Sequence, residues 1–229
     1  MNNEKKNYTK EQLGISNCAY SDVQVAEFSK VPYEQFQKDF LNTFKNAIHN
    51  EIIIRKIYEM IELPSRSTAA SAGYDIRTPF GFMLNPGENI VIPTGLRCRM
   101  DNNYFLNIVP RSGLGFKMRT ALANTNGIID ADYYNADNYG HIMIKLTMDG
   151  LANSVQVSTL GVTTSDVESL NATLVRHGGN KPDTKIQEKS YTFKMNEKIV
   201  QGIFIPYGIT VDDSASDTRT GGFGSTGEK

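Results

Sequence analysis

The sequence contains no tryptophan, two cysteines (Cys18 and Cys98) and three histidines (His49, His141 and His177) among 229 residues. Two cysteines make neither a disulfide framework nor, by themselves, a four-ligand zinc site, so they read as buried or idle thiols of a reducing, cytoplasmic compartment. No stretch approaches the roughly 20 apolar residues that a membrane-spanning helix needs. The run Ile52–Ile54 is cut off by Arg55 and Lys56. The first residues, Met1-Asn2-Asn3-Glu4, lead into no apolar segment, so no secretory signal is expected. Charge of one sign is also missing: Lys+Arg 24 against Asp+Glu 25 leaves −1. Such a chain has no global field for a nucleic-acid polymer or an anionic membrane, and a partner must be recognised locally.

What is present is length, about 1.5 typical domains, which implies one domain with additions or two small ones. Residues 1 to about 62 read as helical. Phe36, Phe40, Leu41, Phe44 and Ile48 recur at helical steps behind Pro32, and Ile53, Ile54, Ile57, Tyr58 and Ile61 form a second pattern that Leu63-Pro64 ends. Three consecutive isoleucines also suit a strand. After Pro64 the texture changes to short β-type runs: Gly73–Ile76, Asn89–Ile92, Tyr104–Val109, His141–Leu146, Tyr191–Phe193 and Val200–Ile205. Turn signals such as Asn85-Pro86-Gly87 fall between them, as in an all-β barrel or sandwich, and no strand–helix–strand alternation appears. A polar stretch from Asp149 to Ser190 reads as a loop or hairpin insertion. Residues 212–229, with four glycines in the last nine, read as a mobile arm.

Five segments carry chemistry, and their residue types converge on a phosphorylated small molecule. Ser71-Ala72-Gly73-Tyr74-Asp75 places a carboxylate at a strand edge among small residues; alone it equally suits a cap or turn. Arg111-Ser112-Gly113 offers a guanidinium, a hydroxyl and a glycine amide, the donor types that cradle phosphate oxygens, although a surface turn has the same composition. Asn124 to Tyr133 brings Gly127-Ile128-Ile129 as a buried edge, after which Asp130 emerges at the rim, where a carboxylate can take a proton from water. Asp130 also suits a turn and Tyr133 suits packing. Gln201 is an amide within an apolar strand and must find a partner. Arg219 to Gly227 combines Phe223, Gly224, Ser225 and Thr226, two hydroxyls and glycine amides around one aromatic face, without the lysine or spacing of a Walker A loop.

In this order, Ala72-Gly73-Tyr74-Asp75, Pro110-Arg111-Ser112-Gly113, Gly127-Ile128-Ile129-Asp130-x-x-Tyr133, the Gln201 strand and Gly221 to Thr226 resemble the five motifs of the trimeric dUTPase family. The resemblance covers residues 62–229. It implies a mainly β, jelly-roll-type barrel over 62–211, an N-terminal helical extension over 1–61, and a C-terminal arm over 212–229 that closes the active site. It implies a homotrimer in which each site is completed by another subunit's tail. The implied reaction is hydrolysis of dUTP to dUMP and pyrophosphate with Mg2+, which keeps uracil out of DNA and supplies dUMP for dTMP synthesis. Asp130 would be the general base and Asp75 would touch the metal's hydration shell. Arg111, Ser112 and Gly113 would hold phosphates and Gln201 the α-phosphate side, while Arg219, Gly224, Ser225 and Thr226 would close on the γ-phosphate. Asn124, Gly127, Ile128, Ile129 and Met143 would read the base, Tyr133 would lie under the sugar, and Phe223 would stack on the base.

The chain departs from that pattern in three places. Residues 134–139 lengthen the hairpin before Gly140, Arg219 stands one residue nearer Phe223, and the 149–190 link is long. The related dCTP deaminases need an acid/base Glu in the strand after the hairpin, and His141–Leu146 supplies none. A regulatory reading, in which the insertion or the N-terminal helices engage a protein partner, is compatible with catalysis.

Overall fold

The protein is described by a computed structural model over residues 24–45, 50–118, 120–149, 190–217 and 221. Along the chain the elements are β1 (Ala26–Lys30), α1 (Tyr33–Thr43), α2 (Glu51–Glu59), β2 (Ser65–Arg66), β3 (Tyr74–Arg77), β4 (Phe82–Leu84), β5 (Asn89–Pro93), β6 (Leu96–Met100), β7 (Tyr104–Pro110), α3 (Ser112–Met118), β8 (Thr120–Leu122), β9 (Gly127–Ile129), β10 (Met143–Met148), β11 (Tyr191–Phe193) and β12 (Lys198–Pro206). The fold is mainly β, as the turn-punctuated runs predict. The 149–190 insertion lies outside the described residues except at its two ends.

The reading of residues 1 to 62 as helical needs one correction: Ala26–Lys30 is a strand, paired antiparallel with β6 from Ala26↔Met100 to Lys30↔Leu96. No helical stripe exists in this short segment, and its conformation is set by the free edge of a strand about seventy positions away. The two helices follow as expected. Asn50 caps α2, its Oδ1 accepting from the amides of Ile52 and Ile53, which satisfies donors that a helix start leaves unpaired. At the other end of α2, Lys30 of β1 donates from Nζ to the carbonyls of Tyr58 and Glu59, each at 3.0 Å. A cation there offsets the negative helix end. Strand and helix thus stabilise each other.

The largest sheet runs β2-β3-β12-β7-β9, with every neighbour antiparallel. A second sheet, β5-β10-β8, carries the other wall, and β11-β4 closes a third side. Ile76, Ile92, Leu106, Leu146, Phe193 and Val200 fill the space between them. Val31, Phe36, Phe40, Ile54, Ile57 and Ile61 from the N-terminal segment belong to the same buried cluster, so the helices add a layer to the core. Among the described residues, no helix is long and apolar enough to cross a membrane. Cys98 is buried, as expected of an idle thiol, and burial pushes its sulfhydryl up to about 12; Cys18 lies outside the described residues.

Candidate active site

Two separate sites emerge from the sheets. The first is polar and gathers where β3 meets β12 and the end of β7. Asp75, 5% exposed, faces two cations. Its Oδ1 lies 3.0 Å from Arg111 Nε, and its Oδ2 lies 2.6 Å from Lys198 Nζ. Ser67 Oγ donates to the same Oδ2 at 2.6 Å, and Lys198 Nζ donates to Ser67 Oγ at 2.9 Å. Burial works to raise the Asp75 carboxyl, but the hydrogen bonds of Lys198 and Ser67 and the charges of Arg111 and Lys198 outweigh it and hold the group below the usual carboxylate range. With one edge of its guanidinium fixed on Asp75, Arg111 is held in orientation and still has donors to offer an anion.

Gln201 joins this group through register, paired with Asp75 on one side and Val109 on the other. Its side chain lies over Gly73, where a Cβ would stand 2.4 Å from Gln201 Oε1. The glycine of the first motif is therefore a space requirement of the fourth. Ser112 and Gly113 open α3 next to Arg111 and are exposed.

The second site is an apolar cavity of about 540 Å3 lined by Val91, Leu122, Asn124, Gly127, Met143 and Lys145, among others. Its size and its few polar groups suit a flat heterocycle. Three of the expected base-reading residues, Asn124, Gly127 and Met143, line it. Gly127 sits opposite Ile108 across the β7–β9 pair, where a Cβ would be 3.4 Å from that of Ile108. Ile128 points outward, 57% exposed, and Ile129 is buried in the core. Asp130 follows at the end of β9, exposed, ahead of a 3-10 turn over Ala131–Asn135. Tyr133, in that turn, is 2% exposed and its hydroxyl donates to the His141 carbonyl at 2.8 Å, so its ring is packed within the core. Arg219, Phe223, Gly224, Ser225 and Thr226 lie outside the described residues.

Asp130 and Arg111 lie at different levels of β7. On β7, Leu106 is opposite Ile129, so Asp130 is level with Phe105, six positions from Arg111. At about 3.3 Å per residue that is roughly 20 Å along the strand. Sequence reasoning missed Lys198, Ser67 and Lys145. Lys198 carried no signal in the sequence: it is register that pairs it across from Arg77, a like-charge arrangement that a carboxylate nearby relieves. Lys145 is two residues beyond Met143 on β10, hence on the same face. Ser67 carried no signal, because only the β2–β3 pairing brings it to Asp75.

A family model described as dUTPase matches residues 59–168. The deoxyuridine 5'-triphosphate nucleotidohydrolase of Lactococcus lactis subsp. lactis is 30% identical over 180 residues, 77% of this chain and 95% of that protein. That of Methylobacillus flagellatus is 30% identical over 191 residues, 80% and 98% of the two chains. The crystal structure of dUTPase from Streptococcus mutans aligns with a TM-score of 0.45 at 25% identity, covering 65% of this chain and 88% of that one.

Proposed function

This chain belongs to the dUTPase family and hydrolyses dUTP to dUMP and pyrophosphate, and we propose that it does so in sites shared between copies, one supplying the phosphate-binding cluster and another the base cavity with Asp130. The observation that carries this reading is the separation of roughly 20 Å along β7 between Asp130 and Arg111, two groups that must both act on the phosphates of one nucleotide. The assembly is a homotrimer, and the tail bearing Arg219, Phe223, Gly224, Ser225 and Thr226 completes a neighbouring site.

Arg111, Lys198 and Gln201 take the phosphate oxygens, with Ser112 and Gly113 beside them, and steady the pyrophosphate as it leaves. Asp130 accepts a proton from the water that attacks the α-phosphorus. Chemistry of this kind rests on positioning and charge neutralisation, which suits a site of fixed donors and one base. The cavity takes uracil: backbone groups at Gly127 to Ile129 and Met143, with Asn124, pair with its N3–H and two carbonyls. Cytosine would leave groups unpaired at about 1–3 kcal/mol each. Tyr133 sits beneath the sugar, and Phe223 covers the base.

The residues fit a magnesium ion carried on the triphosphate. Among the described residues no three His, Cys, Asp or Glu side chains cluster to cage a metal. The Asp75 oxygens already accept from Arg111, Lys198 and Ser67, which leaves Asp75 to meet the ion through water. Bound there, the ion neutralises phosphate charge.

The test is pyrophosphate release from dUTP, dCTP, dTTP and UTP with Mg2+, by the natural protein and by Asp130→Asn. Release should be confined to dUTP and fall on the order of 100- to 10,000-fold in Asp130→Asn. Undiminished turnover in that variant would remove Asp130 as the base.

A further inference from the structure

His141 is wholly buried, yet the reaction as described makes no use of its side chain. Its ring joins three elements. The Gly95 amide donates to Nε2 at 2.8 Å. An amide N–H can only donate, so Nε2 is an acceptor and the ring proton sits on Nδ1. Nδ1 then donates to Asp39 Oδ2 at 2.6 Å, across 102 residues of sequence. Asp39 belongs to α1, and Gln35, one turn earlier, donates to the same oxygen at 2.8 Å. Both ring nitrogens are therefore satisfied, one by the turn before β6 and one by the N-terminal helix.

The main chain of His141 is tied into the hairpin that leads to Met143. Its carbonyl accepts the Tyr133 hydroxyl at 2.8 Å, and Asn138 Nδ2 donates to that hydroxyl at 2.7 Å. Gly140, at φ +68°, leaves no room for a Cβ, which would stand 2.8 Å from the Tyr133 carbonyl oxygen, so the hairpin folds tightly onto Tyr133. One residue on, the Ile142 carbonyl accepts from the Thr94 hydroxyl at 2.6 Å, and two residues on, Met143 lines the cavity. An apolar side chain at position 141 would fill the same space but could slide; two directional hydrogen bonds fix both height and rotation.

We propose that α1 is a positioning element of the nucleotide site, with Asp39 acting through the neutral ring of His141 to fix the hairpin that carries Tyr133 and Met143. This rests on the assignment of Tyr133 and Met143 to sugar and base. The N-terminal helices then do more than cover barrel surface: the Asp39–His141 bond sets how well the pocket fits its nucleotide before binding.

The experiment is steady-state kinetics on dUTP with the full-length protein, its Asp39→Ala, Asp39→Asn and Met143→Glu variants, and a melting curve for each. Asp39→Ala should raise KM about tenfold with kcat changed less than about twofold, because a loosened pocket weakens ground-state and transition-state binding alike. Asp39→Asn keeps an acceptor for Nδ1 and should restore KM to within about twofold of the natural protein. If Asp39→Ala does not fold, His141→Phe removes both hydrogen bonds while keeping bulk and should show the same KM rise. A folded Asp39→Ala with unchanged KM, or an Asp39→Asn as impaired as Asp39→Ala, overturns the proposal. Met143→Glu tells a failure of the coupling from a failure of the cavity assignment. If it raises KM while Asp39→Ala does not, the coupling fails alone; if it also leaves KM unchanged, the assignment of the cavity fails and the proposal with it.

Discussion

Asp75 shows how much of this site is decided by single groups. Burial alone would raise this carboxyl; Lys198, Ser67 and Arg111 reverse that and hold it below the usual carboxylate range. A carboxylate whose folded value lies below its unfolded one stabilises the fold at pH values above the unfolded value, and the contribution is lost as pH falls through the lower, folded value. Asp75→Asn is therefore expected to melt below the natural protein at pH 7, with the gap narrowing as pH drops below about 4. Asp39 is held low with the same sign, but it is common to both proteins and cancels in the comparison. Melting curves from about pH 3 to pH 7 check this, and a gap of constant size would contradict the charge cluster. The motif residues Asp75, Arg111 and Gln201, which the structure gathers in one cluster, could be singled out from the ordered set of motifs, each being ambiguous alone. Lys198 and Ser67 could not, because what gathers them around Asp75 is pairing between strands far apart in sequence.

Among the elements, the turn between β5 and β6 matters most for how the helices dock. Gly95 there has φ +72°, and a Cβ would stand 2.3 Å from Ile61 Cδ1 and 3.2 Å from Phe36 Cδ2. Its carbonyl accepts the Val31 amide at 3.0 Å and its amide meets His141. Glycine is required twice over, by conformation and by the close approach of the helical layer. Gly95→Ala should lower stability by about 1–3 kcal/mol through overpacking and left-handed strain, measured by denaturant unfolding. An unchanged midpoint would mean that the helices do not bear on this turn. At this scale the sequence was a good guide where periodicity or turn residues were strong: α1, α2, β7 and β12 all fall where expected. It misled at β1, whose strand state comes from the β6 edge. The Arg111-Ser112-Gly113 segment suits a turn locally, and it opens α3.

For the whole molecule, the spacing along β7 sets Asp130 apart from Arg111 by roughly 20 Å, which is the ground for the proposed sharing of sites between chains. If sites are shared, two inactive proteins should repair each other. Asp130→Asn retains a complete tail, and a protein ending at Asp217 retains Asp130; unfolding and refolding them together should restore dUTP hydrolysis that neither shows alone. Absence of activity in the mixture would place the tail and Asp130 in the same chain's site.

By itself the sequence determined the reaction class and the β-rich fold, because phosphate-cradling donors, a rim carboxylate and turn residues are local properties that survive in one dimension. The lack of long apolar runs argued against a membrane-spanning helix on the same local grounds. Only the tertiary structure decided which groups stand together. It brought Lys198 and Ser67 to Asp75, and it set Asp130 roughly 20 Å along a strand from Arg111. It also placed an N-terminal aspartate against a buried histidine two residues before Met143. Each of these is a relation across strands or layers, fixed by register and packing, and none is encoded within any one stretch of chain.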